Sequence, residues 1–565
     1  MRVHALAIAA LYLCGSASTP EAQEAPTRPI KNTSGGELLP EEACYDVLHY
    51  DLELEVDPEQ RRIAGQLRLD AALLTASKEL IFDLDEALQI EAVELDGQPV
   101  GHVREAEQRV RVPIAKLASG TRFSLTIRYG GVPRRAPTPP WVGGFTWKKT
   151  ADGRPFIATS CQGEGADLWW PCKDHPSDKP ESMDIAVTVP SGLFCASNGR
   201  LVADEPAREG WVRQRWHVST PISNYAVALN IAPYVELRSE YESTAGDKLP
   251  VRFWVLPENE AQGRRFLAQI VEHLAFFERT CGPYPFRADK YGVVETPHLG
   301  MEHQTIIAYG NAYQGDDNFD YDWLHHHELA HEWWGNLVTA RDWNDFWIHE
   351  GVGTYMQALF LEQKFGREAY LQKMRLDRGG ILNRGAVAPR EPRDSQWMYF
   401  AGRESGSPGG DIYSKGSWIC HTLRWLLGDE DMARVLRRWA YPDPALEASS
   451  DGSACRLATT DELLAIAEQV TGRELDWFFE LYLRQPALPE LIESVEGDRL
   501  QLSWKVPGEL PFPMPVPVRV GESIQRIEVP AEGAAIELGG QPYAVDPEGW
   551  LLKHIPKPPR KPRGS

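Results

Sequence analysis

The stretch His325-His326-His327-Glu328-Leu329-Ala330-His331-Glu332-Trp333-Trp334-Gly335-Asn336 decides how the rest of this chain is read. Within it, His327-Glu328-Leu329-Ala330-His331 is an HExxH pattern. On an α-helix, residues i and i+4 lie one above the other on one face, so the two imidazoles can aim at one point. Zn²⁺ accepts such nitrogens at ~2.0–2.1 Å. Glu328 follows the first histidine, where it can act as general base toward a water. The segment from Asp320 to Gly335 reads as an amphipathic helix with Gly335-Asn336 as its stop. His325 and His326 fall outside the HExxH register and are expected on the helix surface or behind the ligands.

Working outward, a second helical pattern starts near Asn344 or Asp345 and runs to about Phe365. Trp347, Tyr355, Leu359 and Phe360 recur along it at helical spacing, and Gly366 can end it. Glu350 sits in its early turns. Eighteen residues separate His331 from Glu350, a spacing that lets a second helix return with the third ligand of a His₂Glu site and leave one position open. The metzincin alternative needs Gly at 334 and His at 337, where this chain has Trp334 and Leu337.

With these residues in place, the chain resembles the gluzincin zinc aminopeptidases of the aminopeptidase N and leukotriene hydrolase family. His327-Glu328-x-x-His331-x-Trp333-x-Gly335-Asn336-x-Val338-Thr339 is similar to that family's zinc helix. Trp343-Asn344-Asp345-Phe346-Trp347-Ile348-His349-Glu350-Gly351 is similar to its third-ligand segment, with His349 where the family usually has Asn. Leu299-Gly300-Met301-Glu302-His303 resembles its GxMEN exopeptidase motif, with Leu299 for the first Gly and His303 for the Asn. Tyr413-Ser414-Lys415-Gly416 matches its Tyr-x-Lys-Gly run.

The resemblance implies one Zn²⁺ held by His327, His331 and Glu350, with Glu328 as base and Tyr413 as oxyanion donor. It implies Gly300, Met301, Glu302 and Gln162 as the residues that bind a peptide with a free N-terminus. The implied activity is that of a zinc metallo-aminopeptidase. An endoprotease of the same chemistry and an inactive peptide-binding relative are the alternatives.

Composition narrows the class. The chain has 565 residues and a formal net charge of −22, which argues against nucleic acid as a partner, because phosphates call for basic patches. Arg2, the apolar run Ala5 to Leu13 and the small residues Gly15 to Ser18 read as a signal peptide over 1–18. A secreted or periplasmic protein is therefore expected. Lipid anchoring at Cys14 is disfavoured by Leu13, where a small residue is expected. No other stretch is apolar for long enough to span a bilayer. Seven cysteines follow the signal, an odd number that leaves at least one without an intrachain partner.

Residues 19–37 read as a linker. From Cys44 the apolar period becomes two, as in Tyr50, Leu52, Leu54 and Val56, and residues 38–236 are expected to form an all-β domain of two antiparallel sheets. Residues 237–485 carry the motifs and are mostly helical. Period two returns at Leu500, Leu502 and Trp504, giving a small β-sandwich over 486–555, and 556–565 is a basic, Pro-rich tail. The expected class is multidomain α+β. The resemblance adds a saddle-shaped β-sandwich N-terminal domain and a thermolysin-like catalytic domain.

Overall fold

A computed structural model describes residues 33–555. The expected signal peptide, Cys14, most of the expected linker and the basic tail lie outside the described residues. In strand β1 (Tyr45–Asp57) Tyr50, Leu52, Leu54 and Val56 are buried while the polar residues between them are not. That alternation turns one face of a pleated strand to the core. The strand pairs antiparallel with Arg62–Leu73, Val56 opposite Ile63. It also pairs in parallel with β2 (Ser182–Pro190), Leu52 opposite Ile185. The N-terminal region therefore differs from the two antiparallel sheets expected. It holds an eight-stranded sheet containing this parallel pair, plus a four-stranded and a three-stranded sheet. A parallel pairing needs a long crossover, and alternation within a strand carries no trace of its partner.

Next comes a five-stranded sheet. Strands β3 (Lys248–Val255), β4 (Tyr291–Glu295) and β6 (Ile307–Tyr309) run parallel, and the two-residue strand β5 (Gly300–Met301) pairs antiparallel with β6 at the edge. Helix α1 (Glu260–Cys281) buries Phe266, Ile270, Leu274 and Phe277 against this sheet and the helices beyond it. Helices α2 (Trp323–Ala330), α3 (Trp347–Phe365), α4 (Ser395–Phe400) and α5 (Asp411–Leu427) follow. Two three-stranded sheets between Glu490 and Val545 form the C-terminal β unit. The multidomain α+β class stands. No helix of the described residues is long and apolar enough to cross a membrane.

Three further differences are local. The HExxH helix α2 is eight residues long, shorter than Asp320 to Gly335. It is also buried all round rather than amphipathic. Of the two placements expected for His325 and His326, the helix surface is excluded, since both are fully buried. His325 Nδ1 is 2.8 Å from His273 Nδ1 and its Nε2 is 2.7 Å from the Tyr291 hydroxyl. His326 packs among the rings of Phe276, Phe277 and Phe360. A helix enclosed between a sheet and other helices has no wet face for them.

Residues 34–36, the end of the expected linker, are bonded to distant parts of the chain. The Ser34 carbonyl accepts from Ser395 N at 3.0 Å, and Gly36 N donates to Asp342 Oδ1 at 2.8 Å. Gly35 has φ +81, and a Cβ there would overlap the Trp343 ring. The seven described cysteines are all free.

Candidate active site

Asp322 caps α2, its Oδ1 accepting from His325 N at 2.9 Å. The second histidine of the motif, His331, sits at the C-cap with helical φ −68 and ψ −16, so the i, i+4 geometry survives although the helix stops at Ala330. The chain then turns through Gly335, whose φ of +146 suits glycine. Glu350 lies in the first turn of α3.

Helices α3 and α5 touch at Gly351 and Gly416. A Cβ on either glycine would lie 2.7–2.8 Å from the other's Cα. That close approach brings Tyr413, at the start of α5, beside Glu350. The Tyr413 ring lies nearly parallel to the His327 ring, centroids 6.1 Å apart.

All nine residues singled out in the sequence line one cavity: Gln162, Gly300, Met301, Glu302, His327, Glu328, His331, Glu350 and Tyr413. His327 Nε2 and His331 Nε2 are 3.2 Å apart, and each is 3.4 Å from Glu350 Oε2. His331 Nδ1 is 2.9 Å from the Trp334 carbonyl, to which it must donate, so Nε2 is the ring nitrogen turned to Glu350. Glu350 Oε2 is buried and has no hydrogen-bond partner. Three donors converging on one point, one of them a buried carboxylate oxygen with no hydrogen bond, fit a metal ion. Two imidazoles and a carboxylate are a zinc donor set.

Electrostatics follow from burial. Desolvation opposes charge on Glu350, but the neighbouring His331 and His327 outweigh it and hold this carboxyl well below the usual range. Burial pushes His331 down, and the carboxylates of Glu350, Glu302 and Glu328 carry it up to about 10. Glu302 is raised to about 7 by burial, with His331 opposing and Glu350 adding to the rise. Glu328 is also pushed up by burial.

Gly300 is needed where it stands, since a methyl group there would overlap the Glu328 carboxylate. Glu302, Glu328 and His331 form a second group of donors lying within 4.8 Å of one another. Gln162 Nε2 donates to Glu302 Oε1. His349, in the position where Asn is usual, accepts from Ala340 N at 2.9 Å through Nε2 and is held neutral by burial, at about 3.

Sequence reasoning missed Tyr399. Its hydroxyl is 3.0 Å from Glu350 Oε1 and 2.7 Å from the Tyr413 hydroxyl. Its surroundings, Trp397-Met398-Tyr399-Phe400, read as an ordinary aromatic run, and no spacing links it to a motif.

Residues 286–482 match the family described as Peptidase family M1 domain, and residues 47–226 match the Peptidase M1 N-terminal domain. The chain belongs to peptidase family M1. Among curated relatives, it is 26% identical over 347 residues to Aminopeptidase 2, mitochondrial, of Saccharomyces cerevisiae, covering 58% of this chain and 35% of the relative. It is 25% identical over 370 residues to Leucyl aminopeptidase of Saccharolobus solfataricus, covering 61% and 43%. The M1 chain thus spans less than half the length of these relatives.

In solved structures the fold is that of the M1 zinc metallopeptidase from Deinococcus radiodurans, with TM-score 0.63 and 23% identity over 80% of this chain and 96% of that one. A variant of that protein bound to the peptide Tyr-Ser-Ala gives TM-score 0.63 over 79% and 95%.

Proposed function

We propose that the chain is a zinc aminopeptidase that hydrolyses the N-terminal peptide bond of peptides. The observation that carries this reading is one cavity holding the His327, His331 and Glu350 donors, the Glu328 carboxylate and the Glu302 carboxylate together. Zn²⁺ held by the three donors would supply Lewis acidity and make water acidic enough to lose a proton near neutrality.

This chain's own groups do the rest. Glu328, raised by burial, takes the water's proton and delivers it to the leaving amine. Tyr413 donates its O–H where negative charge develops on the substrate oxygen. The β5 edge offers backbone groups to an extended peptide. Glu302 meets the substrate ammonium. A carboxyl that burial holds at about 7 is ionised fully by an arriving cation, and an ammonium entering a dry site needs such a partner. The zinc metallopeptidase of the same fold, bound to a tripeptide, supports peptides as the substrate class.

N-acetylation removes the charge and adds bulk at Glu302. A free peptide should therefore be cleaved ~10²-fold or more faster than its N-acetyl form. Comparable rates would replace this reading with an endoprotease. We also propose export to a secreted or periplasmic location, supported by the signal-like residues 1–18. N-terminal sequencing of the exported protein, which should begin after Ser18 without lipid at Cys14, tests it.

A further inference from the structure

We propose that Tyr399 is a positioning residue that holds Glu350 and Tyr413 in register through one shared hydroxyl. The inference rests on the zinc aminopeptidase reading and deepens it.

A tyrosine hydroxyl has one proton to give and can accept in return. The Tyr399 oxygen is 3.0 Å from Glu350 Oε1, 2.7 Å from the Tyr413 hydroxyl and 3.4 Å from Gln162 Oε1. A carboxylate is the stronger acceptor, so the Tyr399 proton goes to Glu350. Tyr399 must then accept the Tyr413 proton. One hydroxyl therefore occupies Glu350 Oε1, leaves Oε2 turned to His327 and His331, and gives the Tyr413 O–H a defined resting direction.

The scaffold behind Tyr399 is built for position. Asp394 caps α4, its Oδ1 accepting from Trp397 N at 2.7 Å. The Gly163 carbonyl, next to Gln162, accepts from Ser395 Oγ at 2.5 Å and Gln396 Nε2 at 2.9 Å. Ser34 ties the same helix from the other side. The Tyr399 ring packs edge-on against Phe346, centroids 4.9 Å apart, four residues ahead of Glu350. A surface tyrosine would have none of these restraints.

Tyr399→Phe tests this, because it keeps the ring against Phe346 and removes only the hydroxyl. A partner that orients a metal ligand changes affinity by ~10- to 100-fold. Chelator competition on the zinc-loaded variant should show metal affinity lower by ~10-fold or more. At saturating zinc, kcat should fall by ~10-fold while KM stays within ~2-fold. In a Tyr413→Phe background, the Tyr399→Phe loss in kcat should shrink to ~2-fold or less, as coupled residues require.

Unchanged metal affinity, a change confined to KM, or losses that multiply independently with Tyr413→Phe would each overturn the inference. The affinity measurement needs no turnover. A failure of the aminopeptidase reading, seen with acetylated peptides, is thus distinguishable from a failure here. Circular dichroism and thermal melting of Tyr399→Phe should match the parent protein. If they do not, zinc affinity and kcat of Ser395→Ala, which loosens α4 from Gly163 alone, decide the matter by the same two criteria.

Discussion

Among the described residues, two acidic clusters line cavities, and in one of them the carboxylates converge with imidazoles. In the catalytic cavity, Glu302, Glu328 and Glu350 share space with two imidazoles, and their donor atoms fall into groups within 4.8 Å. In the N-terminal β region, Glu42, Asp83, Asp167 and Asp174 line another cavity with Arg109 and His175. Burial raises carboxyls in both places. Asp83 is pushed to about 8 by desolvation and the Glu42 carboxylate, and Asp174 to about 7 by desolvation.

The difference lies in where the oxygens point. Asp83 Oδ2 accepts from Asp174 N at 3.0 Å, and Asp174 Oδ1 accepts from Ala166 N at 3.1 Å and Asn224 Nδ2 at 3.2 Å. Glu42 is paired to Arg109 at 2.9 Å. Asp83, Asp174 and Glu42 are spent on backbone, amide and guanidinium groups, Asp167 keeps both oxygens buried without a hydrogen bond, and among the described residues no three donors there converge as they do around His331. A perturbed carboxyl alone therefore does not mark a site. Convergence with imidazole does.

The comparison breaks at its strongest point if Glu328→Gln stays active. That substitution removes the base and leaves the three donors intact, so kcat should drop by ~10⁴-fold, near the top of the range for a general base. Metal analysis should still find one zinc per chain. Tyr413→Phe comes next, with kcat down ~10²- to 10³-fold at little change in KM, the scale of one oxyanion donor. Parent-like kcat in a well-folded variant would return Tyr413 to a packing role. Glu302→Ala should slow cleavage of free-amine peptides by ~10²-fold. It should leave the poor rate on acetylated peptides nearly unchanged, since the ammonium contact is the one removed. Equal losses on both substrates would mean that Glu302 serves the chemistry rather than the terminus.

The smallest effect on activity belongs to the other cluster. Asp83→Asn should leave turnover within ~2-fold. Its signature is in stability. A carboxyl at about 8 in the folded chain and ~3.9 unfolded binds more protons folded than unfolded between those values. It therefore contributes stability at low pH that is lost as pH rises toward 8. Thermal melting between pH 6 and 9 should show the parent falling more steeply than Asp83→Asn. Identical slopes would mean that Asp83 ionises without cost.

What the sequence made legible was whatever a local period encodes. His327 and His331 face one point because four residues complete a helical turn. Tyr50 to Val56 alternate because a pleat does. Glu350, Glu302 and Tyr413 were reached through motif resemblance, and all enter one cavity. What stayed hidden depends on partners distant in the chain. The pairing of β1 with β2 joins residues more than a hundred positions apart. The burial of His325 and His326 depends on rings contributed by α1 and α3. Tyr399 matters only because α3 and α5 cross at two glycines and present Glu350 and Tyr413 to it. A hydroxyl has no sequence signature until its acceptor is known.

The segment Ser34 to Gly36 has a consequence for handling the protein. It bonds to Ser395 and Asp342, its Gly36 carbonyl lies 2.9 Å from His175 Nε2, and Gly35 fits only because it lacks a side chain. It thus works as a tether, fastening the short helix that carries Tyr399 to the loop before α3. A protease cut or an affinity tag placed between residues 33 and 37 would act some 360 positions downstream, on the hydroxyl network of the catalytic cavity.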